Sequence, residues 1–164
     1  MTEELFLKKA ERHLGNYLYF KASPAFPRLS LEQAGTQTGT YRFGVYDGGW
    51  TVALCLDGLI RERSGDRRSL DDVMRAMYER FGLTGRVYAT EDVARVASEL
   101  AGDDLSGFFA RYVSGADTVP IKECLARFGW SAYSKSYAAE AFLVDAPDAT
   151  AAQRVRRRQL LSSR

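Results

Sequence analysis

The 164-residue sequence contains one histidine, two cysteines and four prolines. The shortage of histidine excludes the most familiar helical zinc site. That site needs two histidines four residues apart, with a glutamate between them as base. His13 is followed by Leu14, Gly15, Asn16 and Tyr17, so no HExxH segment exists and no metal ligands are assigned. Nucleophilic catalysis is short of partners for the same reason, because His13 would be the only imidazole base for every serine or cysteine. No G-x-S-x-G, G-x-x-x-x-G-K or G-x-G-x-x-G segment occurs. Long apolar runs are also lacking. Val52 to Leu56 is typical of the longest, against the roughly 20 residues of a membrane-crossing helix. No membrane partner is expected. An excess of one charge is missing too, since 23 basic and 21 acidic side chains leave a net +2. That balance gives no electrostatic case for nucleic acid. The start, Met1-Thr2-Glu3-Glu4 with Lys8 and Lys9 soon after, shows no secretory signal, which favours the cytoplasm for the chain as it stands.

What is present fits one globular domain, with 46% hydrophobic and 27% charged residues. Phe6, Ala10, His13, Leu14, Tyr17 and Leu18 recur at helical spacing and predict a first helix over about Thr2 to Phe20. Pro24 and Pro27 then mark a loop, and the Gly- and Thr-rich stretch from Arg28 to Gly44 reads as an ordered crossing with at most a helical turn. A second helix is expected from about Gly48 to Arg63. It is apolar on nearly every face, the pattern of a helix at the centre of a core. Ser69 should cap a third helix with the stripe Leu70, Val73, Met74, Met77, Tyr78 and Phe81, stopped by Gly82. Further helices are predicted from Thr90 to Gly102, from Asp103 or Asp104 to Gly115, and after Pro120. Ser131 to Val144 is ambiguous and could be extended, and a basic segment with Arg154, Arg156, Arg157 and Arg158 should form a helical tail. The predicted class is all-α: about six to seven short capped helices around a buried central helix at about 48–63, in a domain of 1–145 with a basic tail of 146–164.

Cys55 and Cys124 lie far apart inside apolar helical patterns, so two buried free thiols are expected rather than a disulfide. His13, on the apolar face of the first helix, reads as a hydrogen-bonded core histidine. Asp57 and Arg61 stand four apart on an otherwise apolar helix, where an ion pair lets both survive burial; the alternative is that one of them orients a site residue on a neighbouring segment. Tyr46, just before Gly48 and Gly49, is either a core tyrosine at a turn or a phenol aimed from the start of the central helix at developing negative charge.

The segment Tyr46-Asp47-Gly48-Gly49-Trp50 through Leu56-Asp57-Gly58-Leu59-Ile60-Arg61, followed by Ser69-Leu70-Asp71-Asp72-Val73-Met74, resembles the glycyl aminopeptidase family of zinc metallopeptidases. That family carries a Y-x-K-G motif, then an L-D-x-x-I-R-like helix and an "sLDDvmr" helix. Ala101-Gly102-Asp103-Asp104-Leu105 through Phe108-Phe109, Tyr112-Val113 and Gly115 is similar to a later stretch of the same family, and the match runs in order from about Leu5 to Trp130. The resemblance implies the helical region that follows the zinc-binding helices, shaping the substrate cleft. It also implies a transition-state role for Tyr46, the catalytic residue it assigns: a hydrogen bond to the oxyanion of the tetrahedral intermediate. Two departures stand out. Gly48 occupies the family's lysine position, and the zinc ligands and base are missing, so the chain holds no cofactor and should be inactive alone. A following PDZ domain is not recognisable after Trp130. A peptide substrate is thus expected only together with an upstream catalytic region. The alternative is a stand-alone, non-catalytic helical interaction module; the oligomeric state is left open.

Overall fold

A computed structural model of the chain describes residues 2–134 and 141–162. It is all-α in class, with eight α-helices and one two-stranded hairpin among the described residues. The helices are α1 (Glu3–Ala22), α2 (Leu31–Gly35), α3 (Gly48–Arg63), α4 (Leu70–Met77), α5 (Thr90–Ala101), α6 (Ser106–Tyr112), α7 (Ile121–Ala126) and α8 (Ala151–Ser162). Two π-helical turns, Phe43–Asp47 and Tyr78–Gly82, adjoin α3 and α4. Thr2 caps α1, its Oγ1 accepting the Leu5 N–H at 3.3 Å.

The apolar-all-round α3 occupies the centre, as its sequence requires, and α1, α4, α5 and α7 pack around it. Leu56 and Ile60 face a cluster of Val73, Met77, Phe81, Val96, Ala97 and Phe109 from α4 and the π turn after it, α5 and α6. Leu54 faces Phe6, Leu14, Phe128 and Trp130 on the opposite side. At Gly58 a Cβ would stand 3.0 Å from the Phe128 ring, so the glycine lets the segment after α7 close on α3. Burial of side chains this size contributes about 1.5–3 kcal/mol each.

Four expectations are refined. The α4 stripe is narrower than predicted: Val73, Met77 and Phe81 are buried, whereas Met74 and Tyr78 are exposed. Residues four apart follow one ridge of a helix, and the two exposed positions lie one residue further round. Ser69 begins α4 as expected, and Asp72 Oδ2 accepts both its N–H at 2.9 Å and its hydroxyl at 3.1 Å; the Leu70 N–H, which no N-cap side chain reaches, is accepted by Asp57. The ambiguous 131–144 stretch contains an antiparallel hairpin, β1 (Trp130–Ser134) with β2 (Ala141–Asp145), in which Trp130 opposes Asp145 and Ala132 opposes Leu143. Residues 135–140 of that stretch lie outside the described residues, as do 163–164 of the basic tail. Within α8, Arg156 is 7% exposed. Its Nε lies 2.6 Å from Asp66 Oδ1 and its Nη1 donates to the Arg127 carbonyl at 3.1 Å.

The fourth is a correction. Cys55 and Cys124 are not free thiols but form a disulfide between α3 and α7, with Cα atoms 4.8 Å apart. Helical periodicity placed both in the core, and the crossing of α3 by α7 brings the two positions together.

Candidate functional site

The turn that delivers the chain into α3 carries the residues of interest. From Phe43 to Asp47 the helix widens to a π turn, a geometry frequent at functional positions. Gly44 makes the turn possible: a Cβ there would lie 2.7 Å from Phe20 Cζ and 3.2 Å from Ala34 Cβ. Asp47 ends the turn and is 7% exposed. Its Oδ1 lies 2.7 Å from His13 Nδ1, and its carbonyl accepts the Thr51 hydroxyl at 2.8 Å. With the carboxylate able only to accept, Nδ1 is the nitrogen that donates. The His13 ring also stacks on Trp50, with centroids 4.8 Å apart and planes 21° from parallel. His13 is therefore the hydrogen-bonded histidine its sequence suggested. Its partner, Asp47, was not identified from the sequence, because the two lie 34 positions apart without a periodic signal.

Tyr46 is not a core tyrosine. It is 65% exposed, one residue from the anchored Asp47, and makes no hydrogen bond among the described residues. The Val45 and Gly48 N–H groups on either side are satisfied by Tyr41 and by Phe43 and Val45 carbonyls, so the backbone carrying the phenol is held while the side chain is free. The turn belongs to the N-terminal end of the helical run that continues as α3, where the helix dipole favours negative charge.

The other polar constellation is structural. Asp57 and Arg61 form the expected buried pair, Nε to Oδ2 at 2.6 Å, and the second Asp57 oxygen accepts from Leu70 N at 2.8 Å. The segment that Asp57 holds is the start of α4, a structural contact. Arg61 Nη1 also donates to Gln159 Oε1 at 3.2 Å. Among titrating groups, burial pushes the Tyr17 phenol up to about 12, although its oxygen accepts the Val119 N–H at 3.1 Å. Burial, and then the nearby charge of Arg28, lowers Lys21, whose Nζ donates to the Leu29 and Ala116 carbonyls.

The residues do not suit the zinc that the resemblance implies. Among the described residues no three His, Cys, Asp or Glu side chains converge. His13 is engaged by Asp47, and both cysteines are consumed by their disulfide. A groove of about 630 Å³ between α5 and α6 has Ala94 and Phe109 in its lining, with Glu91, Arg95 and Asp104 also contributing; Tyr46, His13, Asp57 and Arg61 are not part of it. No protein-family model, curated protein or solved structure matches the chain.

Proposed function

We propose that this chain is the helical subdomain of a zinc aminopeptidase-like peptidase, presenting Tyr46 to a substrate held by a metal-bearing region outside these 164 residues. The observation that carries the reading is the exposed phenol of Tyr46 on an anchored backbone, at the N-terminal end of the most buried helix. A neutral phenol donates one hydrogen bond and is a weak ligand, so it can stabilise an oxyanion without competing for a metal. The His13–Asp47 bond and the Trp50 stack fix the turn against α1, which limits the reorganisation needed when negative charge develops.

The test has two parts. Alone, the chain should bind no stoichiometric zinc and cleave no aminoacyl-p-nitroanilide; one tightly held zinc lost on His13→Ala would sink the reading. Joined to the region encoded in phase upstream of Met1, it should cleave peptides, and Tyr46→Phe should lower kcat by roughly 10²-fold or more with little change in KM. In the isolated chain the same change should leave stability within about 0.5 kcal/mol, because the hydroxyl is exposed and unpaired. An upstream region without HExxH would count against the proposal.

One observation favours the second reading, a non-catalytic interaction module. Met74, Tyr78, Leu83, Val87 and Tyr88 are all exposed within one stretch from α4 to the start of α5. A module would lose its partner on Met74→Ser with Tyr78→Ser and be indifferent to Tyr46→Phe.

A further inference from the structure

We infer that the Cys55–Cys124 disulfide makes the full stability of the native fold conditional on an oxidising compartment, in contrast to the cytoplasm favoured by the absence of a visible signal. Cys55 lies at the middle of α3 and Cys124 in α7, and both are 2% exposed. Tyr17, Val52, Tyr112 and Val119 enclose the bond. The bond ties together positions 69 residues apart, so it restricts much of the unfolded chain.

The α7 side depends on it most. With six residues, α7 is far too short to hold helical structure by itself. The disulfide and the close approach of Phe128 to Gly58 are what press this segment onto α3. From α7 the chain passes directly to Trp130 and the hairpin, which close the Phe6–Leu54 side of the core. Without the cross-link, the docking of α7 loosens and the hairpin loses its base.

Burial also fixes when the bond can form and break. Thiol–disulfide exchange requires a thiolate to approach a sulfur directly, and neither sulfur is open to solvent in the folded chain. Oxidation therefore precedes closure of the core. The two thiols transfer two electrons and two protons to a low-molecular-weight disulfide such as oxidised glutathione. The protein gains one S–S bond and the oxidant is released as two thiols. In a compartment kept reducing by glutathione and thioredoxin the chain remains a dithiol.

The experiment compares the chain refolded in a glutathione redox buffer with the same chain refolded under millimolar dithiothreitol. Thiols are counted with Ellman's reagent after denaturation, and melting is followed by circular dichroism. The expected result is no free thiol in the first sample and a Tm roughly 10 °C lower in the second. Added dithiothreitol should reduce the native oxidised protein roughly 100-fold more slowly than the urea-unfolded chain, since reduction waits for opening. A Cys55→Ala, Cys124→Ala double variant should behave as the reduced chain, and its failure to fold where the oxidised protein folds gives the same support. Two free thiols after oxidative refolding, an equal Tm with and without the bond, or rapid reduction of the native protein would each overturn the inference.

Discussion

The carboxylate of Asp57 accepts the backbone N–H of Leu70 across 2.8 Å, joining the middle of α3 to the first residue of α4. Its other oxygen is held by Arg61 at 2.6 Å, and both side chains are almost fully buried. One carboxylate thus neutralises a buried guanidinium and satisfies a helix-start donor that Ser69 leaves open.

Asp57→Asn should therefore destabilise the protein by about 3–5 kcal/mol, because Arg61 is left charged and uncompensated in the core. Replacing both residues, Asp57→Leu with Arg61→Met, should cost less than the single change. The checking measurement is the urea midpoint of Asp57→Asn, of the single variants Asp57→Leu and Arg61→Met and of the double variant, the last three read as a cycle.

The Tyr17 phenol predicts a loss of stability in base. Its folded pKa of about 12 exceeds the ordinary value of 10.0, so the neutral form is favoured by folding. That contribution is fully present below pH 10 and is lost as the pH rises through about 12. Tyr17→Phe should flatten this slope. It should also lower stability at neutral pH by about 1–3 kcal/mol, by stripping the buried Val119 N–H of its acceptor. Urea titrations at a series of alkaline pH values separate the two effects.

Gly129 and Gly85 form an internal control for backbone strain. Both have positive φ, +72° and +67°, but a Cβ at Gly129 would meet Ala149 Cβ at 2.9 Å, whereas at Gly85 nothing lies within 4 Å. Alanine at Gly85 should cost about 1–2 kcal/mol from the left-handed conformation alone. At Gly129 the loss should be larger, because the added methyl also displaces the chain leading into α8. Thermal melts of the two variants side by side give the difference.

Much of the fold was legible because short helices announce themselves twice, by caps and by periodicity. Gly48 to Arg63 is helical to the residue as read, and Thr90 to Gly102 ends in the left-handed glycine that its sequence signalled. The hairpin was not legible as such: Trp130 to Asp145 mixes aromatic and small residues, and the burial of Trp130, Ala141 and Leu143 arises from packing that includes α1, where Glu11 accepts the Leu143 N–H. Local patterns also carry no information about pairings at long range. Cys55 with Cys124, His13 with Asp47 and Arg156 with Asp66 each join segments that no periodicity connects. At the candidate site the position of Tyr46 before a buried helix was readable, but the choice between a core and an exposed phenol was not, because the residues before Gly48 carry no periodic signal of the π turn that sets the side chain's direction.

The docking of α8 has a consequence for synthesis. Arg156 binds Asp66, and Arg157 binds Asp145 and reaches Glu3 at 3.6 Å, so one late helix holds an early loop, the hairpin and the first turn of α1. A nascent chain paused before residue 151 lacks all three contacts, however long the ribosome waits. Until α8 has emerged, the apolar surface around Phe6 and Trp130 remains available to whatever chaperone meets it first.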